Sequence, residues 1–555
     1  MIRPGLTSGN LDHERKHKIE KLHTMENNLI KRRQFLQAAG LGAASALFKS
    51  DSAQAKSSSP NKPGPDFNKP NVLVIMTDQH RADLMTCAGR DLVPTPNIDL
   101  IASRGVRFTN AYCPYPVCVA SRMALLTGLY AHSTGAITNL DRLDWRYRTI
   151  ANHFADNGYL TGLIGKMHFV DAHNHGFEYY MSINDWLMYL GPKVQYYANE
   201  IANHPLGPHF FDTVDDGGAG LPDVDGLWLK GSPWVGKVEK WNFDSMASAL
   251  EPEDHLDMFL AREAARFIHR YRQQTFFLVT SFMKPHSPFY PPRQWAEKYP
   301  VDKMTLPKVG DISKYPSHIQ RRIRNLASLG EKRQRAHRAG YLGNLAFVDT
   351  CIGHVYKALE KEKLLDKTIV VYTSDHGEMD GDHGLFQKFC LFEPSVRVPL
   401  IVSYPKHLPE NKVTAALTEY IGLYTTLTEL AGLEAPQKTT LVDTPGAPES
   451  MDAKSFADVL LDPDIEGPSA AFSEYNLRSR ICEYMIRTQR YKYIFNHGST
   501  NELYDHEADP GEFVNRIDDP DLKKRAVELW RQSLNIRPDQ PKRDRLVQLI
   551  EKYTK

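Results

Sequence analysis

Short apolar runs alternate with amphipathic stretches along most of this chain. Asn71–Met76, Leu160–Ile164, Thr275–Ser281, Thr368–Tyr372 and Val398–Val402 are nearly continuous apolar segments. That is the pattern of strands buried on both faces of a parallel sheet. Val106–Asn110 reads as a further short strand. Between the runs lie predicted helices at Ile98–Arg104, Ile150–Asn157, Asp254–Tyr271, Ala336–Glu362 and Thr418–Ala431. In the third, Leu256, Phe259, Leu260, Ala264, Phe267 and Ile268 recur at helical spacing. The alternation predicts an α/β fold: a large doubly wound, mostly parallel sheet flanked by helices.

From about Ser469 the pattern changes. Tyr484–Arg487, Tyr491–Phe495 and Glu502–Asp505 read as short antiparallel strands, and Asp521–Leu534 as a last helix. This predicts a smaller C-terminal α+β domain, an antiparallel sheet plus helix, over 466–555. Residues 70–432 form the predicted catalytic domain, and the Pro-, Asp- and Thr-rich stretch 433–465 reads as a linker. Residues 176–250 are aromatic-rich without regular periodicity and read as an irregular insertion that shapes a pocket. Its Tyr179, Tyr180, Trp186, Tyr189, Tyr196 and Tyr197 are candidates for stacking on sugar rings, with packing as the plainer alternative.

The N-terminus carries a different signal. Lys31–Gln37 holds a twin-arginine pattern, Ala38–Phe48 is a short apolar run, and Ala53-Gln54-Ala55 offers a small-x-small cleavage site. The run is too short to anchor the chain stably in a bilayer. Residues 1–55 are therefore read as a twin-arginine signal and 56–69 as a linker, with export to the periplasm and the translocase as a transient partner. The polar segment before Met25 is unlike a signal, which puts the expected start at Met25. With a formal net charge of +1 over 555 residues, no global field points to nucleic acid or a membrane surface. The six cysteines lack paired spacing, which argues against a zinc ribbon or a disulfide scaffold.

The chemistry gathers at strand ends. Asp78 and Gln79, Lys166 and His168, Lys284 and His286, and Asp375 and His376 each follow a predicted strand. The C-terminal ends of parallel strands share one edge of the sheet, where such folds bind ligands. Each pair alone is more often a turn or cap than a site. Cys118-Val119-Ala120-Ser121-Arg122, followed by the apolar run Met123–Thr127, puts a cysteine at a helix N-terminus, where dipole and free N–H groups favour anions.

Taken together these motifs resemble the type I sulfatases of the alkaline-phosphatase-like superfamily. Cys118-Val119-Ala120-Ser121-Arg122 is similar to their Cys-x-Pro/Ala-x-Arg signature. Asp78-Gln79, Gly165-Lys166-Met167-His168, Lys284-Pro285-His286 and Ser374-Asp375-His376-Gly377 resemble further motifs in the family's order, over about residues 70–535. The resemblance implies that Cys118 is oxidised to formylglycine (3-oxoalanine) by a formylglycine-generating enzyme. The aldehyde hydrate then attacks sulfur with one hydroxyl and expels sulfate through the other. It also implies a divalent metal held by Asp78, Gln79, Cys118, Asp375 and His376. These mostly hard donors suit Ca2+, with Mg2+ as the alternative. Gln79 departs from the double aspartate of many relatives and removes one negative charge; His376 is the soft member, bound to the metal or to sulfate.

By the same resemblance Arg122 holds the hydrate, and Lys166 stabilises its oxygen and the sulfate. His168 assists release, and His286 is the acid for the leaving oxygen, a role suited to a near-neutral pKa. Lys388, twelve residues after His376, binds sulfate or assists departure; its plain alternative is a solvated surface lysine. His173, His175, Asp380, Asp382 and His383 are weighed equally as pocket lining and as ordinary loop residues.

The implied reaction is hydrolysis of sulfate monoesters, with sulfated carbohydrates or polysaccharide fragments as the favoured substrate. Three other readings stand beside it. Asp78–Asp83 resembles the opening motif of formylglycine-dependent phosphonate and phosphodiester hydrolases. Gly165–Phe169 with His175–Glu178 resembles choline-sulfatase-like members. A non-catalytic glycan-binding protein would keep the fold without the reaction.

Overall fold

A computed structural model describes residues 69–535, apart from 172, 206–245 and 449. The predicted signal (1–55), nearly all of the first linker and residues 536–555 lie outside the described residues. Among the described residues no helix is long and apolar enough to cross a membrane.

Eight strands form the central sheet: β1 (Asn71–Asp78), β2 (Val106–Tyr112), β3 (Leu160–Gly165), β4 (Tyr179–Met181), β5 (Phe276–Pro285), β6 (Thr368–Ser374), β7 (Leu400–Ser403) and β8 (Lys412–Glu419). Their order is β4-β3-β5-β1-β6-β7-β2-β8. Every pairing is parallel except those of β7, which runs antiparallel to both β6 and β2. The sheet is thus doubly wound and mostly parallel, as the apolar runs predict.

The runs are apolar on both faces because both faces are covered. Along β1, Val72, Val74 and Met76 enter one core, with the helices Cys118–Thr127 and Leu423–Leu430. Leu73 and Ile75 enter the opposite core, with the helices Leu256–Tyr271 and Glu331–Lys361. Period-two alternation sends successive side chains to opposite sides. Each such side chain, fully buried, contributes roughly 1.5–3 kcal/mol.

Three sequence expectations need correction. The helix predicted over Thr418–Ala431 begins at Leu423, because Thr418 and Glu419 close β8, an edge strand that alternates exposed and buried positions. The insertion is regular in its first part: β4 and the helices Ile183–Leu190 and Val194–Ala202 occupy it. Its core positions Trp186, Leu187, Leu190, Val194, Tyr197 and Ala198 do recur at helical spacing, but the exposed Met188, Tyr189 and Tyr196 between them masked the period. Within 433–465, read as a linker, the helix Ala457–Leu461 buries Val459 and Leu460 in the main core.

The C-terminal sheet pairs β9 (Ala471–Tyr475), β10 (Glu483–Arg487), β11 (Tyr491–Asn496) and β12 (Glu502–Asp505), all antiparallel, in the order β12-β11-β10-β9. The helix Pro520–Asn535 seats Leu529 against it. One buried ion network joins this sheet to the larger part. Lys492 on β11 is fully buried, with Nζ 2.8 Å from Glu512 and 3.3 Å from Glu393, which begins a short helix just beyond Lys388.

Candidate active site

Strands β3, β5, β1 and β6 are consecutive neighbours. Their C-terminal ends therefore set Lys166 and His168, His286, Asp78 and Gln79, and Asp375 and His376 side by side. The register keeps them level: Asp78 lies opposite Pro285, and Thr77 opposite Ser374. Two glycines in these motifs answer to crowding. A Cβ on Gly165 (φ +108°) would stand 2.0 Å from the Ser281 carbonyl oxygen, and one on Gly377 1.9 Å from that of Pro394. No other side chain fits at either place.

Cys118 opens the helix Cys118–Thr127, with Val117 as an extended cap residue. Its Sγ lies 3.2 Å from His376 Nε2, 3.5 Å from Lys388 Nζ and 3.9 Å from both Lys166 Nζ and Asp78 Oδ1. Burial pushes the thiol pKa up, and Asp78 does too. The ammonium groups of Lys166 and Lys388 with His376 outweigh them and hold it well below the usual thiol range. Position 118 is therefore an anion site.

Arg122, fully buried one helical turn on, ties the strand ends together. Its Nε donates to Asp375 Oδ2 (2.8 Å) and its Nη2 to Asp78 Oδ2 (3.1 Å). Its Nη1 donates to the Lys166 carbonyl (2.5 Å) and to Ser281 Oγ (2.8 Å). One planar fork thus reaches β1, β3, β5 and β6. Lys166 Nζ lies 2.6 Å from Asp78 Oδ2. Burial alone would raise the Asp78 pKa, but Lys166, His286 and Arg122 hold it well below the carboxylate range. Asp375 goes the other way: burial outweighs Arg122 and lifts it to about 6.

Gln79, in the left-handed region at φ +68°, is oriented by charge on both sides. Its Nε2 donates to Glu378 Oε2 (2.5 Å), and its Oε1 accepts from Lys388 Nζ (2.9 Å). A carboxylate only accepts and an ammonium only donates, so the amide has one consistent orientation. Its oxygen is turned toward the site. Glu378 was not singled out in the sequence; only its place two residues past His376 hinted at it. Lys388 is buried beside Cys118 rather than solvated.

His376 donates from Nδ1 to the Gly377 carbonyl (3.0 Å), which turns Nε2 toward Cys118. Burial is the largest influence and lowers its pKa, but Asp375 and Cys118 together outweigh it, and the net shift is upward. His168 (φ +64°) lies beside Cys118; burial first and then Lys166 lower its pKa, on balance outweighing Cys118, which raises it. His286 is pushed well below its ordinary value by burial and by the charge of Lys388. The near-neutral value expected from sequence is absent in the ligand-free protein, because burial and Lys388 both disfavour imidazolium.

The donor chemistry fits a divalent cation. Ligand atoms of Asp78, Cys118, Asp375 and His376 all lie within 4.8 Å of one another. That is the span across an ion with ligands at about 2.3–2.6 Å. The Gln79 oxygen shares Lys388 Nζ with Cys118 Sγ, and Arg122 and Lys166 hold the Asp78 oxygen Oδ2 beside the cluster.

Other residues of the motifs serve the scaffold. Lys284 faces away from Cys118, toward Asp257 and Glu200, and burial pushes it down to about 8. His80 is buried between Tyr372 and the Leu84 carbonyl, and burial lowers it to about 4. Arg81 pairs with Asp83 (2.6 Å) and Asp382 (2.7 Å), and Arg338 with Asp380 (2.5 Å). In the segment resembling a phosphonate-hydrolase motif, Asp78 and Gln79 thus enter the site while His80, Arg81 and Asp83 are engaged in buried contacts and ion pairs. His383 packs between Phe392 and Phe513, and His175 against Phe169. Trp186 and Tyr197 pack on each other, and Tyr179 packs on Phe267. Tyr180, Tyr189 and Tyr196 stay exposed, and exposed His173 stacks on Trp145.

Known proteins resemble this chain in sequence and in fold. An arylsulfatase of Clostridium perfringens is 29% identical over 467 residues, covering 82% of this chain and 92% of its own. An N-acetylglucosamine-6-O-sulfatase of Bacteroides thetaiotaomicron is 28% identical over 523 residues, covering 84% and 85%. In fold, the phosphonate monoester hydrolase of Agrobacterium radiobacter superposes with a TM-score of 0.68 at 22% identity, covering 84% and 95%. The C-terminal family of N-sulphoglucosamine sulphohydrolase matches residues 381–539. With the Sulfatase family matching residues 70–433, which hold Cys118 and every group around it, the chain belongs to the sulfatases, hydrolases of sulfate esters.

Proposed function

We propose that this protein hydrolyses sulfate monoesters of carbohydrates, with Cys118 converted to formylglycine and a Ca2+ ion (Mg2+ the alternative) held by Asp78, Gln79, Asp375, His376 and position 118. The convergence on Cys118 Sγ of His376, Lys388, Lys166 and Asp78, all within 3.9 Å, carries the reading. Formylglycine supplies, as its hydrate, two hydroxyls on one carbon, one to attack sulfur and one to release it. The ion, when bound, supplies activation of a hydroxyl and neutralisation of sulfate charge.

The chain's own residues do the rest. Arg122 fixes Asp78 and Asp375 and closes the floor of the site. Lys166 and Lys388 face the sulfate oxygens. His168, beside position 118, takes the proton in the release step. His286 hands a proton to the leaving oxygen; an anionic ester between it and Lys388 offsets the charge that keeps it neutral in the free protein. The carbohydrate part of the reading is supported by the N-acetylglucosamine-6-O-sulfatase among the relatives and by exposed Trp145, stacked on His173 in the loop that follows Lys166 and His168.

The test is sulfate release by the metal-loaded protein from 6-sulfated N-acetylglucosamine, sulfated disaccharides, choline sulfate and p-nitrophenyl sulfate, beside a phenyl phosphonate ester. Sulfated sugars should turn over fastest, and Cys118→Ala should be inactive. The peptide containing position 118 should carry the mass of an aldehyde or its hydrate. Phosphonate turnover far above sulfate turnover, or activity in Cys118→Ala, defeats the proposal. Export to the periplasm by Lys31–Gln37 belongs to the same proposal. Replacing Arg32 and Arg33 by lysine should retain the protein in the cytoplasm, and equal periplasmic recovery would refute this route.

A further inference from the structure

Lys388 reaches the site from a backbone held in an unfavourable conformation. Gln387 (φ +64°) and Phe389 (φ +72°), on either side of it, both lie in the left-handed region. Such a conformation is unfavourable for non-glycine residues and persists only where the surroundings impose it. The Gln387 amide is buried, yet neither its oxygen nor its nitrogen has a partner, so this side chain does not fix the turn.

A single guanidinium does. Arg322, on the helix Ser317–Ala327, donates from Nη1 to the Phe389 carbonyl (2.9 Å). From Nη2 it donates to the carbonyls of Phe386 (2.7 Å) and Lys388 (2.5 Å). Its plane lies over the Phe389 ring, 5.8 Å from the centroid. Three carbonyls within four residues point to one cation. That arrangement suits a turn whose carbonyls cannot all enter a regular ladder. The opposite side of the turn is held by Glu378, which accepts the Gln387 N–H, and by the Met379 N–H, which donates to the Gln387 carbonyl (2.9 Å). The same Glu378 orients Gln79, so one of the two side-chain partners of Lys388 Nζ depends on the group that anchors this loop.

We infer that Arg322 is a positioning residue for Lys388: by clamping three carbonyls around the strained turn it fixes the Lys388 Cα, and through it the ammonium 3.5 Å from Cys118 Sγ. A lysine stem has four rotatable bonds, so only a fixed Cα and a short list of acceptors keep its charge aimed. The inference rests on the proposed sulfate-ester site.

The test uses the full, metal-loaded chain and p-nitrophenyl sulfate. Arg322→Met should lower kcat/KM roughly a hundredfold, the scale of a displacement of about 1 Å at a reacting group. Arg322→Lys should recover little, because one ammonium cannot span three carbonyls. Adding Gln387→Gly to Arg322→Met should restore part of the loss, since glycine adopts φ +64° without strain. In a Lys388→Met background, Arg322→Met should add no further loss. Amide exchange at Gln387 and Met379 should quicken in Arg322→Met. That readout needs no substrate, so a failed clamp is distinguishable from a mistaken substrate. Activity within twofold of wild type, losses that multiply with Lys388→Met, or unchanged exchange overturns the inference. If Arg322→Met does not fold, Arg322→Lys carries the same three comparisons.

Discussion

Arg122→Leu is the sharpest perturbation the site offers. Leucine keeps an apolar stem in a fully buried position and removes four hydrogen bonds at once. Asp78 retains Lys166 at 2.6 Å, so it is not stranded. Asp375 fares worse. Its Oδ1 keeps the N–H groups of Gln79 (3.1 Å) and His376 (2.9 Å), but its Oδ2 loses the Arg122 bond. Breaking a buried pair by removing one partner costs about 3–5 kcal/mol. Unfolding entropy of about 2.1 cal/mol/K per residue over roughly 470 residues gives about 1 kcal/mol/K, so the Tm should fall by about 3–5 °C.

The loss should depend on pH. Asp375 already sits near 6, raised by burial against the pull of Arg122, and losing that pull raises it further. A carboxyl whose folded pKa exceeds its unfolded value binds more protons when folded. Its contribution is intact below the unfolded pKa and is lost as pH rises through the folded one. The Tm deficit of Arg122→Leu, measured by calorimetry in chelator, should therefore be small near pH 5.5 and large near pH 8. An unchanged Tm, or a larger deficit at pH 5.5, would refute the assignment of Arg122 as the group that keeps Asp375 ionised.

Two further outcomes follow from the same electrostatics. Lys492→Met should cost about 3 kcal/mol near pH 7.5, the low end for breaking a buried pair, because it removes the cation that Glu393 and Glu512 share and leaves them to Arg397, Arg487 and His506. Against burial, Lys492 holds Glu512 far below the carboxylate range, so the stabilisation exists above the unfolded glutamate pKa. The deficit should shrink toward pH 5 as these two carboxyls protonate, and an equal deficit at pH 5 and pH 8 in calorimetric scans would contradict it. Calcium at about a hundredfold its Kd should stabilise the protein by about 2.7 kcal/mol, near 3 °C in Tm, and Asp375→Asn should abolish the shift. Binding should tighten from pH 5.5 to pH 7.5, since the ion must displace the protons of Asp375 and His376. The same thermal shift in Asp375→Asn would refute the site.

Much of the fold is legible in the chain because a strand buried on both faces must be apolar throughout. Asn71–Met76 and Thr368–Tyr372 could hardly be anything else. The edge strand β8 was hidden, because half its side chains face solvent and its end merges with a helix. Residues of the site were legible wherever a charged or metal-binding side chain directly follows an apolar run. Glu378 and Arg322 follow no such run, and they act on backbone and amide groups whose positions depend on distant segments.

The sequence by itself determined the α/β alternation, the small C-terminal sheet and the placing of Asp78, Lys166, His286 and Asp375 at strand ends, since these depend on the periodicity of neighbouring residues. Tertiary structure decided what they do together. The order β3-β5-β1-β6 makes one site of four strand ends. The turn after β5 sends His286 toward Lys388 while Lys284 faces Glu200. Folding also closes the charge pairs: Arg122 with Asp375 across 253 residues of chain, and Lys388 with Gln79 across 309. Their strength comes from the low dielectric of a shared interior, which no stretch of sequence possesses alone.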